Sequence, residues 1–338
     1  MIYLSGIQPS GTLHLGNYIG AVMQWREQVK LLSKTDEAMF MIVDLHSLTT
    51  KRDVKEFPTH IFNLIATYIA CGLVQKNTTL FVQSDVQEHT ELAWFFSTIT
   101  PLGVLKRMTQ FKDKSGKMSE DSDVVNGGLL FYPCLMAADI LLYDADFIPV
   151  GEDQIQHIEF TRDTANRFHE RYKSEIFKLP KAKIQEEGAR IMSLSDGTKK
   201  MSKSTGTEND LIFITDSDDE IAKKIKRAKT DSESTIFYNK EKRPEVSNLL
   251  TIMSTLSRKT IAQIESEYSS AGTKVFKDNL TQVIINEIAP IREEIFKLQN
   301  DKDFIYKTIS QGGQSAQEKA SAKMQQVKEV IGLLKYGS

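Results

Sequence analysis

The sequence predicts an α/β fold, in which a parallel β-sheet flanked by helices is followed by an all-helical C-terminal region. Over the first 150 residues, short apolar runs alternate with helical patterns, which is typical of a parallel sheet with helices on both faces. A glycine-bearing turn joins the first apolar run to the first helix, a geometry that presents backbone N–H groups to an anion. Beyond residue 206, one helical pattern follows another.

The predicted strands are short and apolar, and the helices between them carry apolar residues at every third or fourth position. Leu15, Tyr18 and Val22 show this spacing of a buried helical face in the first helix. Ligands of such Rossmann-like sheets bind at the carboxyl ends of the strands, so the polar segments that follow strands, including 44–47, should share one rim. The strands are predicted at 1–4, 38–43, 79–83 and 146–150, and the helices at 15–32, 54–72, 88–99 and 136–143.

The segment 101–128 breaks the alternation of strands and helices. It is charged and contains a loop rich in Ser, Asp and Gly, so we interpret it as an insertion. The last predicted helix shows Ala316, Ala320 and Met324 on one apolar face and must therefore dock on another part of the chain. After a helix at 154–172, the further helices are predicted at 219–229, 244–256, 261–268, 273–298 and 314–334.

The composition indicates an ordinary globular protein and excludes several classes. With 338 residues, of which 40% are hydrophobic, the chain can bury a sizeable core. A formal net charge of −2 argues against a generally basic nucleic-acid binder. Two cysteines are too few for a disulfide framework, and no signal sequence or membrane span is evident. These features predict a cytoplasmic location.

The turn after the first strand has the residues expected of a nucleotide site. It passes through Gly6, Pro9 and Gly11, and its spacing is neither G-x-G-x-x-G nor that of a P-loop. His14 and Asn17 lie where the turn meets the helix, and their imidazole and amide can face a bound nucleotide. By itself, a His-x-Gly sequence would indicate only the start of a helix.

A second polar motif, Lys-Met-Ser-Lys-Ser, occupies residues 200–204 in a stretch rich in Ser, Gly and Thr. Its two lysines can close over a triphosphate. The alternative is a solvated surface loop, but the five-residue string in this setting favours a functional role.

Together, the two motifs resemble the His-Ile-Gly-His and Lys-Met-Ser-Lys-Ser signatures of the class I aminoacyl-tRNA synthetases. The segments 6–11, 136–139 and 151–154 narrow the resemblance to the tryptophan branch of that family, and it covers nearly the whole chain. Asn17 stands in place of the second histidine, as is compatible with this branch. Thr205, Gly206 and Thr207 replace the acidic residue and proline that usually follow the last serine.

The resemblance implies amino-acid activation, in which a carboxylate attacks the α-phosphorus of ATP. Because that carboxylate is already ionised, the enzyme needs no nucleophile, and catalysis consists of positioning and of neutralising charge on the pyrophosphate. Lys200 and Lys203 are the residues implied for these phosphate contacts, with Ser202 and Ser204 as hydroxyl donors. ATP with Mg²⁺ is the implied cosubstrate. No protein metal site is expected, because no third ligand accompanies the helically spaced pair of Asp153 and His157.

The resemblance also implies which residues line the nucleotide. Gly151, Glu152 and Asp153 would hold the ribose, whose hydroxyls need acceptors, and Gly16 would let adenine approach the backbone. Ile191 matches an adenine-packing position, for which ordinary core packing is the alternative. The implied ATP-binding residues are Gln8, Pro9, Ser10, His14, Gly16, Asn17, Gly151, Glu152, Asp153, Ile191, Lys200, Met201, Ser202, Lys203 and Ser204.

Asp139 is the residue most informative about the amino acid. It lies among apolar neighbours, where a carboxylate is costly unless it has a donor. By resemblance the indole N–H of tryptophan is that donor, and the ring packs on Met136, Ile148 and Val150. A helix carboxylate facing solvent is the alternative. Tyrosine also offers a donor, so Asp139 alone does not separate the two aromatic synthetases.

The predicted organisation is a catalytic domain at 1–206 with the insertion near 101–128, a helical tRNA- and anticodon-binding domain at 207–313, and a C-terminal helix at 314–338 that docks back on the catalytic domain. The expected partners are L-tryptophan, tRNA(Trp) and a second copy of the chain in a homodimer. The basic run at 223–229 could meet tRNA phosphates or form a solvated face. A tyrosine enzyme of the same architecture, a nucleotidyltransferase that adenylates a small acid and a non-catalytic paralogue remain alternatives.

Overall fold

The computed structural model describes residues 1–50, 52–112, 126–151, 154–184, 190–203, 206–233 and 235–334. Its described strands form one five-stranded sheet in which every neighbouring pair is parallel, with the order β3-β2-β1-β4-β5. Chain order reverses between β1 and β4, and such a reversal is where ligands bind in open α/β sheets. The strands are β1 (Ile2–Ile7), β2 (Glu37–Ile42), β3 (Thr78–Val82), β4 (Phe147–Val150) and β5 (Lys181–Ile184).

Four of these strands confirm the predicted ones, and β5 was missed. Strands β2 and β3 are almost wholly buried because helices cover both faces of the sheet, so they appear in the sequence as continuous apolar runs. By contrast, β5 is a short edge strand that carries Lys181 and Lys183, which are both exposed. Charged residues on an edge strand discourage pairing with other chains, and here they also conceal the strand in the sequence.

The predicted helices are present between the strands, but the one predicted at 136–143 begins nine residues earlier, at Gly127, inside the predicted insertion. The first, α1, comprises α-helix Leu15–Asn17, π-helix Tyr18–Val22 and α-helix Met23–Lys30. A short helix, α5 (Leu102–Lys106), opens the predicted insertion, of which residues 113–125 lie outside the described residues. The remaining helices of this half are α2 (Asp44–Ser47), α3 (Phe57–Ala70), α4 (Glu88–Ile99), α5 (Leu102–Lys106), α6 (Gly127–Leu141) and α7 (Ile155–Tyr172).

The C-terminal region is helical, as predicted, but its last two helices are longer than the pattern suggested. The final helix has 30 residues and begins 12 residues before the predicted start at residue 314. Asp301 caps this helix by accepting a hydrogen bond from the amide of Phe304 at 3.1 Å. The helices are α8 (Asp218–Arg227), α9 (Pro244–Ser257), α10 (Ile261–Tyr268), α11 (Gly272–Asn300) and α12 (Lys302–Ile331).

Helix α12 returns to the sheet and packs on β3 and α4. At Gly312 the helix lies so close to the carbonyl of Leu80 that no side chain could be placed there. Further along, Lys323 is only 7% exposed, donates to the carbonyl of Ile176 at 2.7 Å and pairs with Asp144 at 2.8 Å. The helix therefore covers the β3 edge of the sheet, which would otherwise be open.

The two faces of the sheet belong to two separate hydrophobic clusters. One cluster joins α1 and α3 to helices of the C-terminal region and includes Ile191 and Met201. The other joins α4, α6 and α7 to α12. The rim of the sheet between β1 and β4 is thus bordered by both clusters.

Among the helices that the structure describes, none combines the length and the apolar character required to cross a bilayer.

Candidate active site

The turn after β1 brings backbone groups to the carboxyl end of the sheet. The amide of Ser10 donates to the carbonyl of Gln8 at 2.8 Å, which tightens the turn around the buried Pro9. Gly11 has a φ of +93°, a conformation that glycine adopts without a steric penalty. Gln8 and Ser10 remain exposed at this rim, as a ligand-lining role requires.

His14 is the N-cap of helix α1, and its side chain is buried. Its Nδ1 accepts a hydrogen bond from the amide of Asn17 at 3.2 Å, and its own amide donates to Asn17 Oδ1 at 3.5 Å. Burial, together with the positive charges of Lys203 and Lys200, lowers the pKa of His14 to about 4. The imidazole is therefore neutral near pH 7, and because Nδ1 accepts, Nε2 carries the proton and can donate it to a ligand.

The lysine motif lies on the return strand of a short hairpin. The amide of Ser193 donates to the carbonyl of Lys199 at 2.8 Å, and the amide of Met201 donates to that of Ile191 at 3.0 Å. Lys200 is exposed, whereas Met201 is 1% exposed and anchors the motif in the core. Ile191 is also buried, so ordinary core packing accounts for it in this structure, and its contact with adenine stays a prediction.

The structure brings the two motifs together. Lys203 Nζ donates to the carbonyl of Ser10 at 3.0 Å, across 193 residues of sequence. A Cβ at Gly16 would lie 3.1 Å from the His14 ring and 3.3 Å from Met201, so a side chain there would have to displace one of these neighbours by a few tenths of an ångström. Backbone hydrogen bonds from Leu15 to Ile212 and from Ile214 to Leu13 fix the chain beyond the lysine loop beside α1.

Three of the predicted site residues, Glu152, Asp153 and Ser204, lie outside the described residues. Gly151 is described, directly follows β4 and is exposed at the same rim. The ribose contacts predicted for this segment stay predictions.

Asp139 is 3% exposed and is the centre of a buried polar network. Its carboxylate accepts hydrogen bonds from His46 Nε2 at 2.8 Å, His89 Nδ1 at 2.6 Å and Gln83 Nε2 at 2.8 and 2.9 Å. Burial alone would raise the pKa of Asp139, but the hydrogen bonds from His46 and His89 hold it well below its usual range. Asp139 is thus a buried acceptor, not a helix carboxylate facing solvent.

The protein donors already supply the partners that Asp139 needs. The sequence predicted an indole N–H as its donor, and that contact would add to these hydrogen bonds or displace one of them. Tyr143 extends the network through a 2.8 Å hydrogen bond to His89 Nε2. Burial raises the pKa of Tyr143, so its hydroxyl stays protonated and donates.

The residues predicted to form the apolar wall of the pocket belong to one hydrophobic cluster. Ile148 and Val150 lie on one side of β4, 5% and 7% exposed, and Met136 packs against the same cluster from α6. These three residues thus share one cluster, and their contact with an indole ring stays a prediction.

Sequence reasoning did not select several polar residues of the site. His46 was noticed only as part of a segment that follows a strand, and Gln83 and His89 were not singled out. His60, on α3, lies close to Gly11 and Lys203: its ring would be 3.7 Å from a Cβ placed on Gly11. An isolated histidine forms no recognisable motif in a single sequence. The available signal was that His46 and Gln83 come shortly after β2 and β3.

Comparisons with known proteins point to the family that the motifs resemble. The profile of the tRNA synthetases class I (W and Y) matches residues 1–288. The chain is 46% identical over 331 residues to the tryptophan–tRNA ligase of Rickettsia conorii, covering 98% of each chain. It is 44% identical over 329 residues to that of Bacillus subtilis, covering 97% of each.

Solved structures agree with the sequence relatives. Tryptophanyl-tRNA synthetase from Mycoplasma pneumoniae has a TM-score of 0.85 at 34% identity and covers 98% of both chains. The Campylobacter jejuni enzyme, complexed with ADP and tryptophan, has a TM-score of 0.83 at 31% identity, covering 98% of this chain and all of the other. A tyrosyl-tRNA synthetase from Aeropyrum pernix, 18% identical, shares the fold with a TM-score of 0.66.

Proposed function

The chain belongs to the class I tRNA synthetases of the tryptophan and tyrosine family, and we propose that it ligates L-tryptophan to tRNA(Trp). The reaction has two steps. Tryptophan and ATP form tryptophanyl-adenylate with release of pyrophosphate, and the tryptophanyl group then passes to the 3′ end of the tRNA with release of AMP. Relatives over nearly the full length are tryptophan enzymes, whereas the tyrosine enzymes compared share the fold at low identity.

The observation that carries this proposal is the approach of the two signature motifs. Lys203 Nζ lies 3.0 Å from the carbonyl of Ser10, so the lysine loop reaches the turn that would cradle ATP. The ammonium group donates to a backbone carbonyl, and phosphate oxygens would be stronger partners because the hydrogen bond would then join opposite charges.

In the first step, a carboxylate oxygen of tryptophan attacks the α-phosphorus, and the bond from that phosphorus to the bridging oxygen breaks. The electron pair leaves with pyrophosphate, where negative charge grows. Lys203 and Lys200 neutralise that charge, and neutral His14 donates from Nε2. No proton has to be removed from the attacking group, which explains why this site needs no general base.

Mg²⁺ is proposed to arrive with ATP. Among the described residues, no group of three or more His, Cys, Asp or Glu side chains is arranged to hold a metal ion. Mg²⁺ usually keeps several waters and binds substrate phosphates, so a dedicated protein site is not required. Bound there, it would neutralise phosphate charge.

The helical region, with α8 to α11, is proposed to bind tRNA. In the basic run at 223–229, Lys224 is buried and pairs with Asp216 at 2.6 Å, so it serves the fold. Lys223, Lys226 and Arg227 are exposed on the same helix and would be the ones to meet phosphates. Because these substrates are present in the cytoplasm, we propose that the chain works there.

The experiment that tests the proposed function is aminoacylation of tRNA with labelled amino acids. The purified protein should charge tRNA(Trp) with tryptophan and should leave tRNA(Tyr) uncharged with tyrosine. Charging with tyrosine would instead assign the chain to the sister enzyme. Adenylate formation without transfer to any tRNA would favour a nucleotidyltransferase.

The charge on Lys203 predicts how ATP use depends on pH. Burial lowers the pKa of Lys203 to about 8, so in the free enzyme its ammonium charge is present below that pH and is lost as the pH rises through it. We therefore expect kcat/KM for ATP to fall above about pH 8. Lys203→Arg should move this fall, the alkaline limb of the pH profile, beyond the measurable range, because a guanidinium stays protonated. A profile that is flat to pH 9.5 would contradict the assignment.

A homodimer is proposed through the face formed by α4, α5 and α6. Trp94, Leu102 and Phe131 are 67%, 51% and 42% exposed on these packed helices. Exposed large apolar side chains on neighbouring helices are typical of a protein interface. We expect sedimentation at twice the 38.3 kDa of one chain, and Trp94→Glu should give a monomer at micromolar concentration. Leu31→Glu, an equally drastic change at an exposed leucine elsewhere, should leave the dimer intact.

A further inference from the structure

Asn248, on α9 of the helical region, holds the backbone of the lysine hairpin. It is 5% exposed. Its Oδ1 accepts a hydrogen bond from the amide of Met192 at 2.8 Å, and its Nδ2 donates to the carbonyl of the same residue at 2.9 Å. Nδ2 also lies 3.5 Å from the carbonyl of Ser193. One side chain therefore satisfies both backbone groups of a residue 56 positions away.

The clamped residue belongs to the strand opposite the motif. Met192 forms an antiparallel bridge with Lys200, so a shift of Met192 moves the lysine with it. The bond from the Ser193 amide to the Lys199 carbonyl ties the same two strands. The hydrogen bonds of Asn248 therefore act on the residue that is paired with Lys200, the first lysine of the motif.

Two further contacts seat this hairpin on the helical region. A Cβ at Gly197, in the hairpin turn, would overlap the backbone of Pro244 at the start of α9. The amide of Lys229 donates to the carbonyl of Leu194 at 2.8 Å. Neither of these contacts replaces Asn248, because neither satisfies the polar groups of Met192, and a buried backbone group without a partner is costly.

We propose that Asn248 is a positioning residue that sets the place of Lys200 and Lys203 by fixing their hairpin on α9. The helical region, not the sheet, then determines where the lysines stand relative to the turn after β1. This proposal rests on the proposed function for its effect on rate, whereas the clamp itself concerns only the hairpin. Small displacements of positioning groups reduce catalysis strongly because charge must be met at a defined place.

The test compares Asn248→Ala with Thr251→Val in the full-length protein. Thr251 lies one turn further along α9, and its hydroxyl bonds to the carbonyl of Ser247 within the helix, so its variant is a matched control. We expect Asn248→Ala to lower kcat for tryptophan-dependent ATP–pyrophosphate exchange by about 10- to 10²-fold, with the KM for tryptophan within twofold. Thr251→Val should stay within twofold in both.

Two readouts separate positioning from a loss of folded protein. Loosening the hairpin should expose Lys203, so the alkaline limb of kcat/KM for ATP should move above pH 8 in Asn248→Ala. Amide deuterium exchange at 191–201 should accelerate in that variant and not in the control. If Asn248→Ala only lowered the number of active sites, and left the alkaline limb and the amide deuterium exchange unchanged, Asn248 would have a stabilising role and the proposal would be overturned.

Amide deuterium exchange also tests this proposal separately from the proposed function. If the wild-type protein did not activate tryptophan, the proposed function would fail, yet amide exchange would still report whether Asn248 holds the hairpin. Unchanged exchange at the amides of Ser193 and Met201 in Asn248→Ala would overturn the clamp whatever the activity.

Discussion

Replacing Lys203 by alanine is expected to lower the rate of tryptophanyl-adenylate formation by roughly 10²–10³-fold. The structure places its Nζ 3.0 Å from the carbonyl of Ser10, where the phosphates of ATP would lie, and burial strengthens its interaction with growing charge. The affinity for tryptophan should be nearly unchanged, because Lys203 is assigned to the phosphates of ATP and not to the indole ring. Single-turnover formation of the adenylate, with tryptophan affinity measured separately, tests this.

A neighbouring lysine provides the control for that experiment. Lys199 is exposed in the same hairpin and pairs with Asp196 at 3.0 Å, so Lys199→Ala removes an identical charge without touching the site. Its adenylation rate should stay within threefold of wild type. Equal losses of adenylation rate and tryptophan affinity in Lys203→Ala would remove Lys203 from the role assigned to it.

Asp139→Asn is expected to damage selectivity among aromatic amino acids. The substitution keeps the shape but replaces an acceptor oxygen by an NH₂ group, which would face donors from His46, Gln83 and His89. A hydrogen bond to a charged group is worth about 1.5–3 kcal/mol, so kcat/KM for tryptophan should fall by roughly 10–10²-fold. The preference over tyrosine and phenylalanine should fall with it, because discrimination depends on that polar contact.

Asp144→Asn makes the same chemical change outside the pocket. Asp144 pairs with Lys323 on α12 and has a φ of +49°, which asparagine also adopts readily. This variant should keep wild-type selectivity, with at most a small loss of thermal stability. If Asp139→Asn retained full selectivity, Asp139 would be a structural residue that supports His46 and His89 rather than part of the pocket.

The sequence was sufficient for features that depend on local pattern. Four strands were predicted from short continuous apolar runs, and most helices from apolar residues that recur at every third or fourth position. The two signature motifs were recognisable because each is a contiguous string. That the two motifs form one site followed from the resemblance, whereas the contact between Lys203 and Ser10 is visible only in the structure.

The features that were missed depend on contacts between distant parts of the chain. The network at Asp139 joins residues from segments up to 93 positions apart, and each member alone is an ordinary polar residue. Strand β5 was concealed by its exposed lysines. The first 12 residues of α12 were concealed by polar residues and by Gly312, which is required only because Leu80 lies against it. Asn248 had no sequence signal, since its role arises from two backbone groups on another element.

Amino-acid-dependent ATP–pyrophosphate exchange is the most direct measurement of the central claim. The purified protein would be supplied with ATP, Mg²⁺ and either tryptophan, tyrosine or phenylalanine. We predict exchange with tryptophan and, at equal concentration, only background exchange with the other two. Exchange that depends on tyrosine, or no exchange with any of the three, would contradict the account.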